Sequence, residues 1–334
     1  MTTRAGLLPW SVAAPAAAPY LRLGKPGIAA LATFAAAAAA GLAAQQLSGR
    51  IFLPLAGLFL LASGAGALNQ YQERALDRRM PRTRRRPLPA GELRPDQALR
   101  FAVLLLSCGL CVLQRGGGTA AALLGIAAVV WYNGVYTSLK RRTALALFPG
   151  ALVGAIPPAI GWVSVGGSLA DPRLLSLCGL LFLWQVPHVG LLLLAHGEEY
   201  AEAGIPTMFD LLPRPRLALI VSWWVLGAAV AGSLLPLPAP AGWVRAVLTA
   251  ASLTLAASSW RVASGDRAAV RRAFHGINVY LVLVLALALV AAVRNQHPPD
   301  PHVRADPAAR GAFLPQNKTV FRAGGTVWQR SSFA

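Results

Sequence analysis

Apolar runs of roughly twenty residues recur along this chain, and no other feature limits its possible folds so severely. Nine are readable, at about 27–47, 51–71, 97–114, 119–139, 144–166, 173–195, 216–236, 243–262 and 273–294. Each is long enough to cross a hydrocarbon core of about 30 Å as a helix. In lipid the backbone must satisfy its own hydrogen bonds, which leaves helices and closed barrels. The runs lack the alternation of barrel strands. Composition agrees, with 56% hydrophobic and 13% charged residues. The expected fold is an all-α polytopic membrane protein, a bundle of about nine transmembrane helices around a central cavity. Its transmembrane domain spans 27–294, between an N-terminal segment, 1–26, and a polar tail, 295–334, expected to be disordered.

The formal net charge of +19 invites a nucleic-acid reading, but the distribution excludes it. Basic residues crowd alternate connections: Arg74 to Arg100, Lys140 to Arg142, Arg214 with Arg216, and Arg261 to Arg272. The intervening connections carry only Arg50, Arg115, Arg173 and Arg245. This asymmetry places the N-terminus and the loops after spans two, four, six and eight in the cytoplasm. The first 26 residues, broken by Pro9, Pro15, Pro19 and Pro26, show no cleavable signal. Cys108, Cys111 and Cys178 all fall within spans, where they read as small packing residues rather than a redox pair.

Eight of the twelve acidic residues gather in two stretches after spans two and six: Glu73, Asp77, Glu92 and Asp96, then Glu198, Glu199, Glu202 and Asp210. Asn69, Glu73 and Asp77 are spaced i, i+4 and i+8, so a helix continuing from span two stacks them on one face over about 12 Å. Glu198 and Glu202 repeat the i, i+4 spacing. Two groups of oxygen ligands facing each other suit Mg²⁺, which takes a few carboxylates plus substrate phosphates. The plainer alternative is that Glu73 and Asp77 pair with neighbouring arginines as solvated loop charges.

Arg82, Arg84, Arg85 and Arg86 follow at once, and Lys140 to Arg142 share the same membrane face. Guanidinium forks beside metal-holding acids match the needs of a diphosphate. If the diphosphate carries an allylic, membrane-soluble tail, clamping it stabilises the charge that develops on departure. The carbocation left behind needs an electron-rich acceptor and a site free of water.

Six stretches extend this reading: YLRLGKP (20–26), NQYQERALDRRMPRTRRRPL (69–88), YTSLKRRT (136–143), GAIPPAIGW (154–162), WQVPHVG (184–190) and EEYAEAGIPTM (198–208). In this order they resemble the UbiA-type intramembrane prenyltransferases, and within them the protoheme IX farnesyltransferase (haem O synthase) branch. The resemblance covers about residues 20–294. It implies that Asn69, Glu73 and Asp77 are the catalytic residues of the first acidic motif. Arg82, Arg86 and Lys140 become diphosphate ligands, and Glu198, Glu199, Tyr200 and Glu202 the second acidic motif. Glu73, Asp77 and Glu199 become ligands of a Mg²⁺ cofactor, and His188 and His196 candidate haem contacts. The implied substrates are farnesyl diphosphate and haem b. The implied setting is the bilayer of a bacterial inner membrane, with haem A synthase or a haem-copper oxidase assembly as further partners.

Four positions depart from the family pattern. Glu73 and Glu199 stand where the family has Asp, Ala75 where it often has a third acid, and Thr207 where it has Met. Two other functions compete: prenyl transfer to an aromatic or quinone precursor, and a transporter or non-catalytic membrane scaffold. Against the second, no acid lies mid-span, where ion paths place them.

Overall fold

The computed structural model describes residues 17–45, 48–238 and 242–294. The expectations for 1–16 and 295–334 therefore lie outside the described residues. The first half of the chain forms α1 (Ala17–Leu23), α2 (Pro26–Ala44), α3 (Phe52–Asp77), α4 (Pro95–Val129) and α5 (Thr137–Leu139). The second half forms α6 (Leu147–Val163), α7 (Pro172–Glu202), α8 (Arg214–Ser233), α9 (Gly242–Ala263) and α10 (Arg267–Arg294).

Alanine makes the centre of the bundle. The buried residues of α2 are alanine and glycine apart from Leu42. Lipid is as apolar as leucine, so helices in a membrane associate by close packing, and small residues let backbones approach. At Gly161 of α6 a Cβ would stand 2.0 Å from the Ala36 carbonyl oxygen. On this surface α2 packs against α3, α6 and α10 and touches α7. From α6 onward each helix packs on the next, and α10 returns to α2 and α7.

The stretch Pro95–Leu139 is counted once among seven helices long and apolar enough to cross a membrane, yet it is a hairpin. Gly118, at φ 78° and ψ −179°, leaves the helical conformation in a region that a side chain would strain. A Cβ on Gly125 would lie 2.9 Å from Leu113 Cδ2. A straight helix would hold those residues about 18 Å apart. Residues 95–117 and 119–139 are thus separate passes, as the sequence predicts for spans three and four. The first packs antiparallel on α3, with Leu113 at Gly57 and Leu61 at Gly109. α9 has the length of a span but not the hydropathy, because Arg245, Arg261 and several Ser and Thr lie within it. Phe52, Trp223 and Trp260 are 72%, 64% and 84% exposed, an outer surface suited to lipid rather than water. The protein is a multi-pass membrane protein.

Three contacts put the four basic connections at one end of the bundle. Lys140, after the fourth pass, meets Glu73 of α3. Arg82, after α3, donates to Tyr200 at the end of α7, and Arg267, after α9, pairs with Glu198. Proline within a helix removes a hydrogen bond and favours a kink. The backbone stays helical through Pro157, Pro158 and Pro187, and α7 breaks at His196 instead (φ −131°, ψ 19°). The break adjoins Gly197, where a Cβ would lie 2.0 Å from the Phe209 ring.

Gly161→Ala should separate α2 from α6 and cost about 1–3 kcal/mol, the usual range for overpacking. Gly179→Ala, where a Cβ meets nothing within 4 Å, serves as the control. Thermal unfolding in detergent should show a fall of several degrees for the first variant only.

Candidate active site

α3 runs unbroken to Asp77, so Asn69, Glu73 and Asp77 stack on one face as their spacing predicts. They are 2%, 3% and 3% exposed, which removes the reading of solvated loop charges. Carboxylates this deeply buried require cations beside them. Arg86 Nη1 donates to both Asp77 oxygens at 2.8 Å. Lys140 Nζ lies 2.5 Å from Glu73 Oε1, a close buried ion pair. Above them, Asn69 Oδ1 accepts from Lys25 Nζ at 2.9 Å, and Asn69 Nδ2 donates to Thr137 Oγ1 at 3.2 Å.

Local structure delivers each cation. The loop after α3 doubles back through turns in which Thr83 Oγ1 donates to the Asp77 carbonyl, and Thr83 N and Arg84 N donate to the Met80 carbonyl. Leu88 and Leu93 pin the loop against Leu23, Ala67 and Ala98. Arg86 is thereby returned to the helix that precedes it. The fourth pass enters a π-helical turn at Val130–Tyr136, a widening frequent at functional sites. Within it Asn133 Nδ2 donates to the Ala65 carbonyl at 3.0 Å, and Gln72 Nε2 donates to the Asn133 carbonyl at 3.1 Å. This register sets Thr137 against Asn69 and Lys140 against Glu73.

The second acidic stretch divides. Glu198 and Glu202, which the i, i+4 spacing singles out, are exposed, and Glu198 pairs with Arg267. Glu199 and Tyr200 are half-buried instead. The Glu199 carboxylate takes a 3.1 Å contact from His196 Nδ1 and keeps Oε2 buried and unfilled. Tyr200 receives the Arg82 guanidinium at 3.2 Å. An apolar knot of Met80, Ala203 and Ile205, with Leu76 and Tyr200 against it, joins the ends of α3 and α7. Among the described residues no three His, Cys, Asp or Glu side chains converge closely enough to hold a metal unaided. Glu199 Oε2 is nevertheless an open acceptor of the hard, anionic kind that magnesium takes. His188 lies apart, its ring 4.7 Å from Trp184 and 5.0 Å from Phe274, with Nδ1 buried and unpartnered.

The sequence profile of the UbiA prenyltransferase family matches residues 28–284. The chain belongs to the UbiA prenyltransferase family. Among curated relatives, the protoheme IX farnesyltransferase of Geobacter sulfurreducens is 45% identical over 219 residues, covering 66% of this chain and 80% of that protein. The protoheme IX farnesyltransferase of Anaeromyxobacter dehalogenans is 37% identical over 274 residues, covering 80% of this chain and 92% of that protein. Solved structures share the fold at lower identity. A digeranylgeranylglyceryl phosphate synthase structure matches with TM-score 0.66 and 14% identity over 83% of this chain and 98% of its own. A UbiA homologue from Archaeoglobus fulgidus bound to GPP and Mg²⁺ matches with TM-score 0.59 and 16% identity over 82% of this chain and 99% of its own.

Four residues that bond to this polar face were not singled out in the sequence: Lys25, Gln72, Asn133 and Thr137. All are polar residues at or near the ends of spans, and nothing in their spacing links them to Asn69. Burial, followed by repulsion from Arg86, lowers the pKa of the Lys25 ammonium to about 8.

The Asp77–Arg86 pair makes the site's stability testable. Arg86→Gln strands a buried carboxylate and should cost about 3 kcal/mol, in the range for breaking such pairs. Asp77→Asn combined with Arg86→Gln should recover most of that loss. Unfolding midpoints of the two variants measure this; a double variant no more stable than the single would refute it.

Proposed function

We propose that the protein transfers the farnesyl group of farnesyl diphosphate to a vinyl group of haem b, giving haem O and diphosphate. The observation that carries the reading is the face of α3. Its two buried carboxylates are matched one to one by Lys140 and Arg86, beside further cations, Lys25 and Arg82. In this reading each carboxylate is held by its own cation until substrate enters, and the pairs then exchange partners. Arg82, Arg86 and Lys140 turn to the phosphates, and Glu73, Asp77 and Glu199 are freed to hold magnesium, with Asn69 orienting the diphosphate. Bound magnesium supplies Lewis-acid charge that offsets the negative charge of the leaving diphosphate.

Transfer then balances simply. The farnesyl C1–O bond breaks, and its electron pair leaves with the diphosphate. The vinyl π electrons form the new carbon–carbon bond to the allylic cation. Water adds to the resulting haem-side cation and loses a proton, which leaves a hydroxyethylfarnesyl group. Tyr132 and Tyr136, stacked 6.0 Å apart beside the Glu73–Lys140 pair, wall the site with aromatic surface that excludes other water.

The acceptor assignment is supported by the names of the relatives and by the aromatic setting of His188. Of the two histidines, His188 between Trp184 and Phe274 offers an unfilled nitrogen to haem. His196 instead orients Glu199. Glu198 and Glu202 shape the rim of the second motif. The positive-inside rule supports a cytoplasmic setting for this end of the bundle, and the bacterial relatives support a bacterial inner membrane.

Membranes containing the protein, incubated with farnesyl diphosphate, haem b and Mg²⁺, should yield a farnesylated, hydrated haem by mass spectrometry. EDTA should abolish it. Asp77→Asn should lower the rate about 100-fold, the scale for losing a main electrostatic stabiliser. Prenylation of an aromatic acceptor with no haem product would move the assignment to the quinone-precursor branch. Full activity in a folded Asp77→Asn protein would overturn the mechanism.

A further inference from the structure

The stretch YLRLGKP has no part in the reaction as described, yet its lysine enters the acid face. Lys25 has φ 49° and ψ 58°, a left-handed conformation that residues with a side chain seldom adopt. Pro26 follows it, and a residue before proline is driven toward extended backbone. Two local preferences are therefore overridden at one position. Gln70 Nε2 holds the turn by donating to the Leu23 and Arg22 carbonyls at 2.8 and 3.1 Å. Lys25 N donates to the Arg22 carbonyl, and Leu23 is fully buried beside Ala67 and Leu88. The stem of Lys25 then runs beside Gly66 of α3, and its ammonium ends 2.9 Å from Asn69 Oδ1.

We propose that Lys25 is a diphosphate ligand of this site, presented by the strained turn before α2. The inference rests on the prenyl-diphosphate reading above. Lys140 and Arg86 each face a carboxylate, whereas Lys25 faces a neutral amide. An ammonium carries three donors, and among the described residues Asn69 accepts one. Glu73 and Asp77 lie within electrostatic reach of Lys25 but each is already paired, so a half-buried cation whose bonded partner is a neutral amide gains from an added anion. Lys25, Lys140 and Arg86 against Glu73 and Asp77 leave one positive charge, the sign that a diphosphate requires. A purely structural role would need only a hydrogen bond to Asn69, which a neutral side chain could supply.

The test uses the full-length protein in detergent, with magnesium and inorganic diphosphate as probe, and farnesyl diphosphate and haem b for turnover. Lys25→Met should weaken diphosphate binding and raise KM for farnesyl diphosphate about tenfold or more, as loss of a charge-assisted hydrogen bond predicts. The change in kcat and in KM for haem should be much smaller. Lys25→Arg should retain affinity within about threefold, because it keeps the charge. The empty Lys25→Met protein should melt no lower than wild type, while the stabilisation added by diphosphate shrinks. Wild-type affinity in Lys25→Met, or an empty variant that cannot fold, would show a structural prop and overturn the assignment. A wild-type protein that binds no diphosphate in magnesium would overturn the prenyl-diphosphate reading, and this inference with it.

Discussion

An ionised carboxylate inside a bundle of apolar helices persists only with a cation beside it, and this requirement organises the end of the bundle that carries the basic connections. α3 buries two such carboxylates one helical turn apart. The chain answers with cations from distant places: Lys25 before α2, Arg86 from the loop after α3, and Lys140 after α5. Each arrival has its own local device. The left-handed turn held by Gln70, the doubled-back loop around Thr83 and the π-helical turn at Val130–Tyr136 would otherwise be unrelated irregularities.

Neutralisation without full satisfaction distinguishes this arrangement from a structural ion-pair cluster. Glu199 Oε2 is buried and lacks a hydrogen-bond partner. Buried acceptors left open are uncommon in a settled core, and groups meant only to stabilise would be expected to close them. In the proposed reaction Glu73, Asp77 and Glu199 would hold magnesium, and the cations would turn to phosphate. The end of α7 contributes through Glu199 and Tyr200 rather than through the more regularly spaced Glu198 and Glu202. The break at His196 and the packing of Phe209 on Gly197 decide which side chains of that stretch turn inward.

Much of the architecture was legible because hydropathy is a local property. The passes at 95–117 and 119–139 stand out as separate runs even though helical backbone continues on both sides of Gly118. The stack of Asn69, Glu73 and Asp77 follows from helical periodicity alone. The break in α7 at His196 was not legible, because it accompanies the packing of Phe209 on Gly197, a tertiary contact. Lys25 was passed over for the same kind of reason. Its sequence neighbours, Gly24 and Pro26, mark a turn but say nothing of a partner 44 residues away.

The sequence by itself determined that this chain spans a membrane many times, that its basic connections share one face, and that α3 ends in a stacked polar edge. Those are sums over neighbouring residues, governed by transfer into lipid and by the pitch of a helix. Only the tertiary structure decided which cation meets which carboxylate, which glutamate of the second stretch turns inward, and that a lysine before α2 reaches Asn69. Charge pairing in a low-dielectric interior is settled by which groups packing brings within a few ångströms, and packing joins residues that no sequence window contains.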